Sequence, residues 1–143
     1  MKIKDVVRGK SSQSVVTISP DATVRELVAL LGEHNIGAVV VSGDGSSVEG
    51  IVSERDVVRR LQQGAEVLGA AVSSIMTATV HTCGPDDDLD ALMGQMTERR
   101  IRHVPVVVDG ALTGVVSIGD VVKSRITQLT FERDQLDSYV HQT

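Results

Sequence analysis

The chain has 143 residues, of which 41% are hydrophobic and 23% charged, and its formal net charge at pH 7 is −5. These values suit one compact soluble domain, or two very small halves that share a core. Phe131 and Tyr139 are the only aromatic residues, so the stacking platforms that bind single-stranded nucleic acid are absent. The negative charge also disfavours binding to a phosphate backbone, and no nucleic-acid partner is expected.

The sequence shows no sign of a disulfide, a secretory leader or a membrane span. Cys83 is the only cysteine, which excludes an intramolecular disulfide. Residues 1–7 contain no long apolar run and no small-residue cleavage site. No apolar stretch approaches the roughly 20 residues that a membrane-spanning helix needs. We therefore expect a soluble, cytoplasmic protein with no membrane partner.

The chain opens with a short apolar patch and then changes pattern several times. The polar run 8–13 predicts a loop, and the β-branched residues 15–18 predict a short strand. From Val24 onward, apolar residues recur with the spacing of an amphipathic helix. Thr23, with Glu26 three residues later, fits a capping box, which indicates that this helix starts just after Thr23.

Two strands and a second helix complete the first half. The nearly continuous apolar run 36–41 is typical of a strand buried on both faces. A turn rich in Gly, Asp and Ser follows it, and residues 48–52 predict the next strand. Residues 56–63 predict a helix that ends at Gly64.

The second half repeats this pattern closely. The segment Gly50–Asp56 (GIVSERD) recurs as Gly114–Asp120 (GVVSIGD). Both copies read Gly, two β-branched residues, Ser, two variable residues and Asp. Upstream, Pro20 aligns with Pro85. The separation of these two prolines is one residue greater than that of Gly50 and Gly114, because the second hairpin is one residue shorter than the first. Each half reads strand, helix, strand, strand, helix, and is too small to form a core alone.

We predict an α/β (α+β) fold in which two β-α-β-β-α repeats, 1–68 and 69–125, pack on each other, with a helical extension over 126–143. The last helix is predicted to run from Val121 to about Val140. It carries an apolar stripe that is interrupted at Arg133. Such a helix has more apolar face than half a small domain covers. A partner helix in a homodimer is therefore favoured over folding back onto its own repeat.

The doubled Ser-x-x-Asp is the chemically suggestive feature of the chain. A spacing of three residues puts Ser53 and Asp56 on the same side of a first helical turn, and likewise Ser117 and Asp120. A carboxylate there accepts hydrogen bonds from vicinal ribose hydroxyls, and the free amides of the turn donate to a phosphate. The same residues also fit ordinary capping boxes, but their duplication favours a nucleotide site.

The doubled unit resembles a tandem pair of cystathionine-β-synthase (CBS) domains over roughly residues 1–125. The resemblance rests on the two Gly-x-Val-Ser-x-x-Asp motifs, on the segment 75–77 (IMT) and on the strand 101–107 (IRHVPVV). It implies two repeats about a pseudo-two-fold axis, with two clefts between their sheets. It also implies a regulatory module, not an enzyme, that binds an adenosine-containing ligand such as AMP, ADP, ATP, NAD(H) or S-adenosylmethionine.

The resemblance assigns roles to individual side chains. Asp56 and Asp120 would hold the ribose hydroxyls, and Ser53 and Ser117 would lie beside the phosphate or the ribose. The other implied contacts are residues at the ends of the first strands and in the apolar walls against adenine: Thr17, Thr82, Val39, Val40, Val104 and Pro105.

The two halves differ where the family places a basic pair against phosphate. Arg102 and His103 match that pair, as in the similar γ subunit of AMP-activated protein kinase, whereas their equivalents in the first half are Gly37 and Ala38. Either a ligand of the first half lacks support at this point, or Arg55 supplies the charge. We expect unequal sites, with the phosphate nearest Arg102 and His103. Alternatively, His103 is a plain surface residue of its strand. As a ligand contact, an imidazole that titrates near pH 6.5 would make binding pH-sensitive.

No stronger catalytic or metal constellation competes with this hypothesis. His81, Cys83 and His103 lack a carboxylate that would orient a metal ligand, and Cys83 has no evident base. Asp86–Asp88 are better explained as acidic residues at a helix N-terminus, and Arg99-Arg100 as the basic end of that helix. No phosphate loop or catalytic triad is present. We expect no enzyme, no metal and no required cofactor.

The sequence thus predicts a stand-alone regulatory homodimer that senses an adenine nucleotide, with AMP foremost, and signals to an unidentified protein. The alternative is a CBS pair that holds no ligand and acts as an interaction or stress-response homodimer. Under the first hypothesis, substitution of Asp120 is expected to weaken binding more than substitution of Asp56.

Overall fold

The computed structural model describes residues 1–8 and 15–141. Within these ranges the helices are α1 (Ile3–Arg8), α2 (Val24–His34), α3 (Glu54–Leu61), α4 (Leu89–Arg99) and α5 (Ile118–His141). The strands are β1 (Thr17–Ile18), β2 (Ala38–Val41), β3 (Gly50–Ser53), β4 (His103–Val108) and β5 (Ala111–Ser117). Two 3₁₀ turns, Ala65–Gly69 and Val72–Ser74, connect the halves. The predicted loop 8–13 lies outside the described residues except for Arg8, which ends α1.

Each half contains one small sheet. In the first half, β1 runs parallel to β2, and β2 pairs antiparallel with β3. In the second half, β4 and β5 form an antiparallel hairpin. The equivalent of β1 there is reduced to a parallel bridge between Cys83 and Val106. The fold is the predicted one: two repeats of strand, helix, strand, strand and helix about a pseudo-two-fold axis.

The two hairpins close with different turn chemistry. After β2, the Asp44 carboxylate accepts hydrogen bonds from the amides of Ser46 (2.9 Å) and Ser47 (2.8 Å). These bonds hold the pKa of Asp44 well below its usual value, and the bond from the Ser47 amide contributes most. Between β4 and β5, Asp109 and Gly110 have φ angles of 51° and 80°, which a two-residue hairpin turn requires. The first turn is thus held by Asp44, one of the Gly, Asp and Ser residues from which it was predicted.

α2 and α4 are equivalent helices that cover the two sheets. Each has 11 residues and ends at a residue in the left-handed conformation, Asn35 or Arg100. As predicted, Thr23 caps α2, because its hydroxyl accepts the Glu26 amide (3.2 Å). The apolar faces of the two helices are buried at Val24, Leu27 and Leu31 in α2 and at Leu89, Leu92 and Met96 in α4.

α3 and α5 begin earlier than their apolar patterns predict, at Glu54 and Ile118. Ser53 is the N-cap of α3, and Ser117 accepts the Asp120 amide in the same way at the start of α5. Because an N-cap serine starts the helix at the next residue, the two variable residues of each motif are already helical.

Each half has its own apolar core, and the opening segment of the other repeat completes it. Ile3 and Val6 of α1 are buried in the core of the second half. Val72 and Ile75, near the start of the second repeat, are buried in the core of the first half. Neither core is complete without the exchanged segment, so the two halves fold as one unit.

Matching backbone hydrogen bonds hold the exchanged segments. The Lys4 amide donates to the Pro85 carbonyl (2.8 Å), and the Ser73 amide donates to the Pro20 carbonyl (3.1 Å). Lys4 and Ser73 are therefore equivalent positions, and they lie further apart in the sequence than Pro20 and Pro85 do. The exchange obeys the same pseudo-two-fold relation as the repeats.

α5 is the longest helix, with 24 residues, and it extends past the second half. Val121 packs in the core, whereas every residue from 129 to 141 is exposed. In the part of the chain that the structure describes, no helix combines the length and the apolar character that crossing a bilayer requires.

Candidate ligand-binding cleft

The two Ser-x-x-Asp motifs form capping pairs at the starts of α3 and α5. Oδ2 of Asp56 accepts the Ser53 amide (2.8 Å), and the Asp56 amide donates to Ser53 Oγ (3.4 Å). In the second copy, Oδ2 of Asp120 accepts the Ser117 amide (3.0 Å), and the Asp120 amide donates to Ser117 Oγ (3.1 Å). The capping role that the sequence left open is therefore present in both copies.

A cleft of about 810 Å³ lies between the two halves. Its lining includes Val39 from the first half, and His103, Ser117 and Asp120 from the second. The structure thus brings together four of the residues that the resemblance implies for ligand contact. The volume falls within the range of about 300–1,000 Å³ that is typical of small-molecule sites.

The cleft combines the acidic cap of one half with the strand of the other. Asp120 begins α5 of the second half, whereas Ala38 and Val39 start β2 of the first. The starts of β2 and β4 approach each other here, since a Cβ built on Gly37 would lie 3.9 Å from Cε1 of His103. Arg102 and His103 are consequently separated: His103 lines the cleft, whereas Arg102 is exposed and lies outside its lining.

The predicted contacts outside this lining are Thr17, Val40, Ser53, Arg55, Asp56, Thr82, Arg102, Val104 and Pro105. Thr17 is half-buried in β1, one residue from Val16, which does line the cleft. Arg55 and Thr82 are exposed, and Pro105 is buried in β4. Ser53 and Asp56 occupy the equivalent cap at the start of α3. Ligand contact by these residues stays a prediction.

α1 brings positive charge to the cleft, which the sequence did not predict. Lys4 and Arg8 line its wall beside Val7. Lys4 is ion-paired with Asp86 (Nζ to Oδ1, 3.1 Å), and its hydrogen bond and charge lower the pKa of that carboxyl. The signal that places α1 here is the spacing of Ile3 and Val6, which is the same as that of Val72 and Ile75 near the start of the second repeat.

The end of α2 forms another part of the wall. His34 closes the last turn of α2, and Asn35 follows it in the left-handed conformation that ends the helix. Their equivalents in the second half are Arg99 and Arg100, in the register that aligns the two repeats at their prolines. His34, Asn35 and Gly37 thus line the cleft, whereas the equivalent residues of the second half are all arginines.

The remaining candidate nucleophile and metal ligands have structural partners. The Cys83 thiol donates to the Pro105 carbonyl (3.6 Å), and burial, aided by the charge of Asp87, raises the pKa of that thiol to about 11. His81 lies within hydrogen-bond distance of Arg99, with Nη1 at 2.9 Å from Nδ1. Within residues 1–8 and 15–141, no group of three or more His, Cys, Asp or Glu side chains is arranged to hold a metal ion.

Both repeats match one known family of domains. The family model of the CBS domain matches residues 3–63 and 72–126. The chain belongs to the CBS domain family. The two matches correspond to the two repeats, so the family predicted from the motifs is confirmed.

CBS proteins of similar size match most of the chain. The CBS domain-containing protein CBSX3, mitochondrial, of Arabidopsis thaliana is 36% identical over 146 residues, which cover 96% of this chain and 71% of that protein. The CBS domain-containing protein YhcV of Bacillus subtilis is 27% identical over 121 residues, which cover 85% of this chain and 86% of that protein. Both repeats are therefore shared with these relatives.

Solved structures of CBS proteins have the same fold. The CBS-domain containing protein ATU1752 from Agrobacterium tumefaciens superposes with a TM-score of 0.82 and 45% identity, covering 87% of this chain and 99% of that one. The CBS domain pair of protein MJ0100 superposes with a TM-score of 0.76 and 25% identity, covering 86% and 98%. That pair was solved in complex with 5′-methylthioadenosine and S-adenosyl-L-methionine. At least one CBS pair of this fold thus binds adenosine-containing ligands.

Proposed function

We propose that this CBS pair is a regulatory module that binds an adenine nucleotide, AMP foremost, in the cleft between its halves. The observation that carries the proposal is the position of Asp120, which lines the cleft together with the apolar side chains of Val16 and Val39. The adenosine ligands of the MJ0100 pair support the same ligand class. The cleft supplies a carboxylate for ribose and an apolar wall for adenine.

Asp120 performs its capping role and holds ribose with one carboxylate. An ionised carboxylate accepts about four hydrogen bonds, and the Ser117 amide supplies one of them. The cap fixes the orientation of the carboxylate, so that binding the two ribose hydroxyls costs little side-chain entropy. Adenine packs on Val16 and Val39, both of which belong to the first half.

The charges around the cleft favour a ligand with a phosphate. Its basic side chains are Lys4 and Arg8 from α1, with His34 and His103 beside them, and Asp120 is the acidic residue of the described lining. S-adenosylmethionine carries a positive sulfonium group, which gains nothing from the charges of Lys4 and Arg8, whereas a phosphate gains charge-assisted hydrogen bonds. We place the phosphate near Arg8, because Arg102 lies outside the lining.

Binding in this position couples the ligand to the packing of the two halves. A ligand shifts the balance between two packings only by its differential affinity for them. Residues from both halves and from α1 contact one ligand, so such a difference is available. The proposed output is a change presented to a separate protein by a homodimer, without catalysis. The cytoplasmic location stays a prediction, and the Arabidopsis relative is described as mitochondrial.

A second candidate function is favoured by the exposed apolar face of α5. Ile126, Leu136 and Val140 are each at least 60% exposed. A CBS pair that uses this face to form an interaction or stress-response homodimer needs no ligand in the cleft. This candidate and the nucleotide sensor differ in one property, which is the response of the folded protein to adenosine compounds.

Thermal denaturation with a panel of ligands separates the two candidates. AMP, ATP, NADH, S-adenosylmethionine and 5′-methylthioadenosine are each added at millimolar concentration. A ligand present at about 100 times its Kd stabilises the fold by about 2.7 kcal/mol, which raises Tm by several degrees. We expect the largest rise with AMP. Unchanged Tm with every compound would leave the interaction homodimer as the function.

A further inference from the structure

The strand pairings fix which residues of the two halves are equivalent. Ile18 pairs with Val41 in the first sheet, and Cys83 bridges to Val106 in the second. Cys83 follows Ile18, and Val106 follows Val41, at the same separation as the aligned prolines. Every residue of the cleft wall that belongs to this part of a repeat therefore has a known equivalent in the other half.

Two positions in the wall of the described cleft carry different residues in the second half. Val16, just before β1, and His34, at the end of α2, both line that cleft. Their equivalents are His81 and Arg99. A second cleft, related to the first by the pseudo-two-fold axis and capped by Asp56, would have these two side chains in its wall.

In the second half, these two side chains contact each other. Nη1 of Arg99 lies 2.9 Å from Nδ1 and 2.6 Å from Nε2 of His81. A guanidinium only donates hydrogen bonds, so the imidazole accepts. The contact joins the strand side of the second cleft to its helix side. It also puts a charged group where the first cleft presents the apolar side chain of Val16.

The exchanged segment also differs between the two clefts. Because Lys4 and Ser73 are equivalent, the equivalents of Val7 and Arg8 are Met76 and Thr77. Thr77 carries no charge that could hold a phosphate. The segment that supplies cations to the first cleft thus supplies none to the second.

The contact between the two side chains removes the surface that adenine needs. In the proposed function, adenine packs on Val16 and Val39 of the first half, and the equivalent wall consists of His81 and Val104. A base that enters there must either pack on the guanidinium of Arg99 or break its hydrogen bond to the imidazole. The loss of that bond is offset only if another acceptor replaces it, and an apolar ring face is not one.

We propose that the Arg99–His81 contact is an autoinhibitory bridge that keeps the second cleft closed to adenine nucleotides. One chain then binds one nucleotide, in the cleft lined by Asp120. The proposal rests on the proposed function and specifies the number of its sites. It gives the inequality of the two Ser-x-x-Asp motifs a physical cause, because the first motif caps a cleft that the bridge closes.

Exchanging residues between the two clefts tests the bridge in the full chain. His81→Val with Arg99→His gives the second cleft the residues of the first, and we call this protein the opened variant. Val16→His with His34→Arg makes the reverse exchange and gives the closed variant. Calorimetric titration with AMP measures the number of sites per chain. We expect one site in wild type, two in the opened variant, and at least tenfold weaker binding in the closed variant.

A cap substitution identifies the site that the opened variant gains. Asp56→Asn in the opened variant should reduce the number of sites from two to one. Asp120→Asn in the same protein should also leave one site, which is then the second cleft. Thermal denaturation without ligand shows whether each variant is folded, and the number of sites in wild type does not depend on the folding of any variant.

The other outcomes separate the bridge from the proposed function. Two AMP sites in wild type, or a single site in a folded opened variant, would overturn the bridge and leave the nucleotide sensor intact. AMP binding by the opened variant through Asp56, with none by wild type, would support the bridge and reject binding in the described cleft. No AMP binding by either protein would reject both.

Discussion

Gly50 and Gly114 begin the repeated motif, and both are glycine because another segment passes close to them. A Cβ on Gly50 would lie 2.5 Å from Sδ of Met76 and 3.0 Å from the Thr77 carbonyl oxygen. A Cβ on Gly114 would lie 3.3 Å from Cγ1 of Val7. The segments that pass over them are the exchanged ones. The glycine of each motif therefore marks where the exchanged segment crosses the sheet.

Replacing Gly50 with alanine should destabilise the fold. The added methyl group meets a backbone oxygen that cannot move aside, and overpacking of this kind costs about 1–3 kcal/mol. Gly32→Ala is the matched control, since nothing lies within 4 Å of a Cβ there and the residue is inside α2. We expect the control to gain about 0.5–1 kcal/mol. Urea denaturation measures both, and a Gly50→Ala protein as stable as wild type would contradict the crossing.

Cys83 should be unreactive in the folded protein at pH 8. Its thiol pKa is raised to about 11 by burial and by Asp87, so the nucleophilic thiolate is scarce at that pH. We expect iodoacetamide to label the native protein slowly and the urea-unfolded protein rapidly, as followed by mass spectrometry. Rapid labelling of the native protein at pH 8 would show an accessible, activated thiol.

The Ser-x-x-Asp motifs show what residue patterns settle and what they leave open. The sequence located both motifs and offered two roles for them, a cap and a ribose site. The structure shows the cap at Asp56 and at Asp120. Of these two carboxylates, only that of Asp120 lines the cleft. The motif alone does not distinguish the two copies, because the difference depends on which other segments pack against them.

At the scale of elements, α1 explains why part of the candidate site was missed. It has six residues, which is too short to be stable as an isolated helix, so packing rather than propensity forms it. Its contribution to the cleft depends on a contact with the second half, which is distant in the sequence. By contrast, α2 and α4 were predictable, because a clear apolar period and a capping residue specify each of them within a few neighbours.

Substituting Arg8 tests the contribution of α1 to ligand binding. Losing a charge-assisted hydrogen bond costs about 1.5–3 kcal/mol, so Arg8→Gln should weaken AMP binding at least tenfold and leave adenosine binding unchanged. Arg102→Gln is the control, because Arg102 is exposed outside the cleft lining. Calorimetric titration with both ligands measures these effects. A tenfold loss of AMP affinity in Arg102→Gln, with the affinity of Arg8→Gln unchanged, would contradict this placement. The phosphate would then lie near Arg102, as predicted from the sequence.

At the scale of the whole molecule, the exchange of segments determines where a ligand can bind. The repeat was evident from the recurrence of the Gly-x-Val-Ser-x-x-Asp motif, and it correctly predicted two similar halves. Equivalent positions in the exchanged segments are separated by a different number of residues from equivalent positions elsewhere in the repeats. The contacts of these segments join parts of the chain that are distant in sequence. For this reason the sequence grouped Asp120 with Arg102, whereas the structure groups it with Val39, Ala38 and α1.

The inequality of the two motifs is the central claim, and calorimetric titration of AMP into three proteins tests it most directly. Asp120→Asn and Asp56→Asn make the same change in equivalent caps, so any difference between them reports on the ligand rather than on helix capping. We predict tight AMP binding to wild type, at least tenfold weaker binding to Asp120→Asn, and a Kd within twofold of wild type for Asp56→Asn. Equal losses in the two variants, or no binding to wild type, would contradict the account.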